Sequence, residues 1–141
     1  MKILFVCSGN TGRSPMAMFV MRKLVADAGL AEKFTIESAA SKPTSGGALH
    51  EGIAAKLRAE NIPYGEHNAR QITAADYKNF DKIICMDAGN IAQVTEICGG
   101  DPDGKIQLLL DADIPWDKNG FAKTFDDISR GCTALLNAVK I

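Results

Sequence analysis

The chain begins with an apolar run, Ile3-Leu4-Phe5-Val6, that passes without a linker into Cys7-Ser8-Gly9-Asn10-Thr11-Gly12-Arg13-Ser14. Apolar residues then recur at Met16, Phe19, Val20, Leu24 and Val25, a spacing of three and four that predicts a helix from Arg13 to about Gly29. A buried strand, a turn containing two glycines and a helix in immediate succession leave few choices of fold. The turn must reverse direction tightly, and the first N–H groups of the helix then point back over the end of the strand. Those amides and the positive end of the helix dipole make an anion site. Cys7 stands at its floor, and the same partial charges that favour a phosphate favour S⁻ over SH. Arg13 adds a planar cation whose fork can hold two oxygens of one anion, which a lysine cannot do. A nucleophilic sulfur inside an oxyanion cradle has the parts needed for phosphoryl transfer.

The remaining sequence repeats the alternation. Phe34–Ser38 reads as a second strand, His50–Asn61 as a helix stopped by Pro63, and Thr73-Ala74-Ala75-Asp76 as the capping box of a short helix. Lys82–Met86 reads as a third strand, Asn90–Cys98 as a helix, and Lys105–Leu110 as a fourth strand. After a loop over 111–119, Ile128, Leu135, Leu136 and Val139 mark a final amphipathic helix. Apolar strands alternating with helices predict an α/β fold with a four-stranded parallel sheet covered on both faces, in one domain over residues 1–141. In such folds the site lies at the carboxyl ends of the strands, where Cys7, the residues after Met86 and the 111–119 loop should meet.

Composition narrows the setting. A formal charge of −1 over 141 residues argues against a nucleic-acid or membrane-surface partner. The longest apolar stretches, 3–7 and 106–110, are too short to span a bilayer. Cys7, Cys85, Cys98 and Cys132 are widely spaced, without metal-ligand or disulfide patterning, so a reducing cytoplasmic location is expected.

Cys7-x5-Arg13-Ser14-Pro15 resembles the signature of the low-molecular-weight protein tyrosine phosphatases. Later stretches agree in order and spacing: Ser38-Ala39-Ala40, Ala69-Arg70-Gln71-Ile72, Asp76-Tyr77, Ile84-Cys85-Met86-Asp87, Gly99-Gly100-Asp101-Pro102, Pro115-Trp116 and Gly131–Leu136. The resemblance implies hydrolysis of phosphotyrosine on protein substrates through a phosphocysteine, with no metal or cofactor. By position it makes Cys7 the nucleophile and Arg13 the phosphate clamp. Ser8, Gly9, Asn10, Thr11, Gly12 and Ser14 form the binding loop, with Ser14 donating to the thiolate, and His67 stands behind the loop holding Asn10.

The chain departs from that pattern in three informative places. Relatives carry Asp-Pro-aromatic in the penultimate loop, but Asp113-Ile114-Pro115-Trp116 puts Ile114 where the acid belongs. Asp113 is the candidate general acid, ahead of Asp111 and Asp117, and Trp116 the candidate aromatic wall. Gly12 stands where relatives often have a second cysteine, so peroxide is expected to drive Cys7 to irreversible oxidation rather than to a protective disulfide. Thr11 stands where tyrosine-directed relatives are apolar and protein arginine phosphatases have threonine. A phosphoarginine phosphatase and a weakened phosphate-binding module therefore stay open beside the leading reading. An arsenate reductase would need further thiols near the loop. The 41–49 segment has no aromatic residue, which predicts a cleft open on that side.

Overall fold

The computed structural model describes residues 1–117 and 119–139. Strand β1 (Lys2–Cys7) lies inside a four-stranded parallel sheet between β2 (Thr35–Ala40) and β3 (Lys82–Cys85), with β4 (Ile106–Leu108) outside β3. Its central position follows from its composition. Ile3, Leu4, Phe5 and Val6 are all 0% exposed, and a strand buried on both faces must be apolar at every position.

The two faces sort by parity, as a pleated strand requires. Ile3, Phe5 and Cys7 belong to the core shared with α1 (Arg13–Asp27), α2 (Glu51–Ala59) and α5 (Ala122–Val139). Leu4 and Val6 face the other way, toward Tyr77 of α3 (Ala74–Asn79) and Val94 of α4 (Ala88–Cys98). No helix among the described residues is long and apolar enough to cross a membrane.

The expected elements are present, with shifted ends. β2 runs to Ala40, two residues beyond the predicted Ser38, because β1 continues to Cys7 and pairs Cys7 with Ala40. β4 is shorter than predicted. It pairs only with β3, whose ladder offers it Ile83, Ile84 and Cys85. α4 starts two residues early because the Asp87 side chain caps it, accepting from the Asn90 N–H at 2.8 Å. The capping box at Thr73 and Asp76 is formed as predicted. A short 3₁₀ turn, Ala31–Lys33, has no counterpart in the sequence reading.

The strand order 2-1-3-4 places successive connections on opposite sides of β1. The carboxyl end of β1 is therefore the crevice of the sheet, and Cys7 is its last residue.

Candidate active site

Beyond Cys7 the chain leaves the ladder but keeps its partners. Cys7 O accepts from Ser41 N at 2.8 Å, Ser8 O from Lys42 N at 3.2 Å, and Thr11 O from His50 N at 2.8 Å. These bonds curl residues 8–12 into a ring. The ring feeds α1 through Gly12, which offers no capping side chain, and the first turn of α1 holds no acidic residue. The positive end of the helix is left facing a cavity of about 230 Å³ lined by Cys7 through Arg13 and by Trp116.

Asn10 organises the ring. It is fully buried and adopts φ 58°, a left-handed conformation that asparagine tolerates better than most residues. Its Nδ2 donates to Ser14 Oγ and to Ser38 Oγ, each at 2.9 Å, while Oδ1 accepts from Arg70 N at 3.2 Å. The Asn10 carbonyl takes the His67 Nε2–H at 2.6 Å, which fixes the proton on that nitrogen. Ser14 Oγ lies 2.9 Å from Cys7 Sγ and 3.4 Å from the Ala39 carbonyl, and it donates to the sulfur when the sulfur is a thiolate. Asn10 N–H adds a second donor to the sulfur at 3.3 Å. Two donors converging on one sulfur is the geometry an anionic sulfur requires.

Arg13 is anchored from behind. Its Nη1 donates to Asp87 Oδ2 and to the Ile114 carbonyl, both at 2.8 Å. Nε and Nη2 have no hydrogen-bond partner among the described residues, so one edge of the guanidinium stays available for a bidentate ligand. Burial pushes the Asp87 carboxyl up, but hydrogen bonds from Arg13 and the Asn90 N–H more than offset this and hold it below the usual aspartate value. Nothing local in the sequence marks Asp87 as the partner of Arg13, 74 residues away. Asn90 was equally hidden. Fully buried, it donates through Nδ2 to Ser8 Oγ at 3.2 Å and to Ser41 Oγ at 3.1 Å, tying the ring to the end of β2.

The structure therefore brings Cys7, Ser8, Gly9, Asn10, Thr11, Gly12, Arg13 and Trp116 to one cavity. Ser14 lies beneath the sulfur, and His67 lies behind Asn10. Asp113 is exposed and outside the cavity wall, with Oδ1 accepting from Ala88 N at 2.9 Å. Its Oδ2 has no hydrogen-bond partner among the described residues. Ile114 is fully buried and contributes only its backbone to the site. Asp111 is exposed, and Asp117 Oδ1 accepts from Asn119 N at 3.0 Å.

Gly12 and Trp116 explain each other. A Cβ on Gly12 would lie 2.6 Å from Trp116 Cη2 and closer still to Cζ3, so the indole occupies the space a side chain would need. The other thiols are poorly suited to redox chemistry. Burial pushes Cys85 up to about 12 and also raises Cys132, which is fully buried, and Cys98. All four cysteines are free.

A separate hollow adjoins the end of the 41–49 segment. It has a volume of about 670 Å³ and lies between residues 48–54 and 64–68, with His67 in its wall.

Comparison with known proteins agrees along the whole length. Residues 2–141 match the family described as low molecular weight phosphotyrosine protein phosphatase. The low molecular weight protein-tyrosine-phosphatase YfkJ of Bacillus subtilis is 36% identical, covering 98% of this chain and 95% of that one. The human low molecular weight phosphotyrosine protein phosphatase is 34% identical over 95% of this chain and 92% of its own. Among solved structures, the low molecular weight protein tyrosine phosphatase SP-PTP from Streptococcus pyogenes superposes with a TM-score of 0.90 at 34% identity. It covers 99% of this chain and 93% of that one.

Proposed function

This chain belongs to the low molecular weight phosphotyrosine protein phosphatase family, and we propose that it hydrolyses phosphotyrosine on proteins through a phosphocysteine formed on Cys7. The observation that carries the reading is the pairing of a twice-donated sulfur with a guanidinium that is fixed at Nη1 and free at Nε and Nη2.

The phosphoryl group sits in the ring of amides with two oxygens on the free edge of Arg13. Cys7 Sγ attacks phosphorus opposite the tyrosyl oxygen, so the S–P bond forms as the P–O bond to the phenol breaks. The three remaining oxygens spread toward a plane in the transition state, where the preorganised amides and the fork of Arg13 follow them. Asp113 delivers its proton to the departing phenolate, a contribution of roughly 10²–10⁴-fold for a positioned acid. The resulting carboxylate then takes a proton from water as that water attacks phosphorus. The S–P bond breaks, inorganic phosphate leaves, and the sulfur returns as a thiolate stabilised by Ser14 and Asn10.

One observation favours a second substrate. Thr11 lines the cavity and its Oγ1 has no hydrogen-bond partner among the described residues. A free hydroxyl there could receive the polar guanidinium leaving group of phosphoarginine.

The deciding experiment is hydrolysis of phosphotyrosine and phosphoarginine peptides by the parent and by Cys7→Ser. The expected outcome is a phosphotyrosine rate well above the phosphoarginine rate, with loss of about four orders of magnitude or more in Cys7→Ser. A stoichiometric burst of phenol should precede the steady state. A faster rate on phosphoarginine reverses the substrate assignment. Tight phosphate binding without turnover leaves only a binding module.

A further inference from the structure

His50 is exposed, and the reaction above gives it nothing to do. Its surroundings are nevertheless specific. It is the N-cap of α2, with Nδ1 accepting from Gly52 N at 3.0 Å. Its backbone N–H holds the Thr11 carbonyl of the catalytic ring. Its imidazole meets Trp116 edge to face, with centroids 5.2 Å apart and planes at 87°. It meets Phe121 in the same way, at 5.4 Å and 73°, and Trp116 and Phe121 lie 4.8 Å apart.

Two glycines make the cluster possible. Gly12 leaves room for the indole, and a Cβ on Gly52 would collide with the Phe121 ring and lie 3.0 Å from His50 Cε1. Phe121 is held at φ 63°, a left-handed conformation unfavourable for an aromatic residue that persists only where packing over-determines it. Trp116 makes no side-chain hydrogen bond among the described residues. Its position over the cavity therefore rests on ring contacts and on the bare backbone of Gly12.

We propose that His50 is a positioning residue. Its imidazole holds the Trp116 indole upright as the wall against which an aromatic leaving group packs, and so biases the cavity toward aryl over other phosphate esters. The substrate class rests on the phosphatase reading above; the wall itself does not. The segment before α2 lacks an aromatic residue of its own, and His50 is the ring that supports the wall from that side. An edge-to-face ring pair is worth a factor of about three to ten in an equilibrium, which sets the size of the effect.

The chain contains one tryptophan, so emission excited beyond the tyrosine absorption band reports on Trp116 alone. The experiment titrates benzylphosphonate and inorganic phosphate into the parent, His50→Asn and His50→Phe, following that emission. Asparagine keeps the helix cap and removes the ring, while phenylalanine keeps a ring and removes the cap. In His50→Asn the emission should move to longer wavelength, acrylamide quenching should rise, and benzylphosphonate affinity should fall about fivefold. Phosphate affinity should stay at the parent value, because asparagine keeps the backbone N–H that holds the Thr11 carbonyl. His50→Phe should restore the emission and most of the aryl affinity.

Unchanged emission and an unchanged ratio of aryl to phosphate affinity in His50→Asn would overturn the proposal. So would an equal loss for both ligands, which would make His50 a support of the catalytic ring, and so would a phenylalanine that rescues nothing. Absence of aryl phosphate hydrolysis by the parent removes the enzymatic reading instead, and the binding experiment separates the two failures.

Discussion

Residues 7–14 and Trp116 of the later loop close on one cavity, and the two segments are held by different means. The first loop is closed by polar bonds, centred on a buried Asn10 that engages Ser14, Ser38, Arg70 and His67. The second is held by scattered bonds, among them Ile114 N to Met86 O at 2.8 Å, Ala88 N to Asp113 Oδ1 at 2.9 Å and Thr124 Oγ1 to the Pro115 carbonyl at 3.2 Å, and by rings packed on glycines. Its carboxylates at Asp111 and Asp113 are exposed. A phosphoryl group has one shape and one charge pattern, so the loop that grips it can be rigid. Leaving groups differ, and the loop that meets them is attached by contacts that tolerate exchange. The difference assigns phosphate geometry to the polar loop and substrate choice to the aromatic one.

Breaking the hub of the polar loop should have the largest effect. Asn10→Ala strands the Ser14 and Ser38 hydroxyls and the Arg70 N–H, and puts alanine at φ 58°. The expected loss is about 3 kcal/mol of unfolding free energy in urea titrations and about 10³-fold in turnover of an aryl phosphate. Asn10→Gly relieves the backbone but not the orphaned groups, so it should recover little. Full recovery would show that backbone conformation, not the network, is what Asn10 supplies.

The aromatic loop should respond according to the leaving group. Asp113→Asn is expected to lower turnover of a phenyl phosphate by two or more orders of magnitude. It should barely affect an ester of a strongly acidic phenol, which departs without a proton. Equal rates on both esters in parent and variant would remove Asp113 from the mechanism and direct attention to Asp111 or Asp117.

The same division governs what could be read from the sequence. The polar loop is written in consecutive residues, and strand, cysteine, glycines and arginine together leave one way to fold. His67 was placed behind Asn10 by resemblance, and its Nε2–H does meet that carbonyl. Strand ends were less legible because they depend on a neighbour's length, as at Ala40 and Leu108. Least legible were contacts between distant segments. Asp87 announces a helix cap, and it is one, but its second oxygen serves Arg13. Asn90 has no local pattern at all, and its meaning is a bond to Ser8 across 82 residues. Gly12 did carry a signal: a glycine in a cysteine's place, and a tryptophan far downstream to fill the space.

That pair offers a milder way to join the two loops in one measurement. Gly12→Ala adds a methyl at the point where the indole crosses the ring. The added methyl must push the indole away. Activity on aryl phosphates should fall about tenfold, the scale of a lost aromatic contact, while binding of inorganic phosphate changes little. Matched losses for both ligands would mean that the loops are not separable.

The smallest effect should come from Asp87→Asn, which tests how the polar loop is anchored to the sheet. Asparagine is as good an N-cap as aspartate, so the substitution keeps the start of α4 and removes only the charge facing Arg13. The Arg13 and Asp87 side chains are 11% and 24% exposed, and a partly exposed pair of this kind is worth about 1 kcal/mol. Because the Asp87 carboxyl is held below its ordinary value, its contribution is present above the unfolded aspartate value near pH 4. It disappears as the pH falls through the lower folded value. The stability gap between parent and variant should therefore be full at pH 7 and shrink toward zero as the pH falls below the depressed Asp87 value. Asp101 and Asp127 are also depressed, but they titrate alike in both chains and drop out of the difference. Arg13 keeps the Ile114 carbonyl in the variant, so turnover at pH 7 should fall only a few-fold, about the factor that 1 kcal/mol allows. A gap that persists unchanged at low pH would show that the charge on Asp87 is not its source. The guanidinium would then owe its position to the Ile114 carbonyl, and the rigidity of the polar loop would depend on the very segment it has been contrasted with.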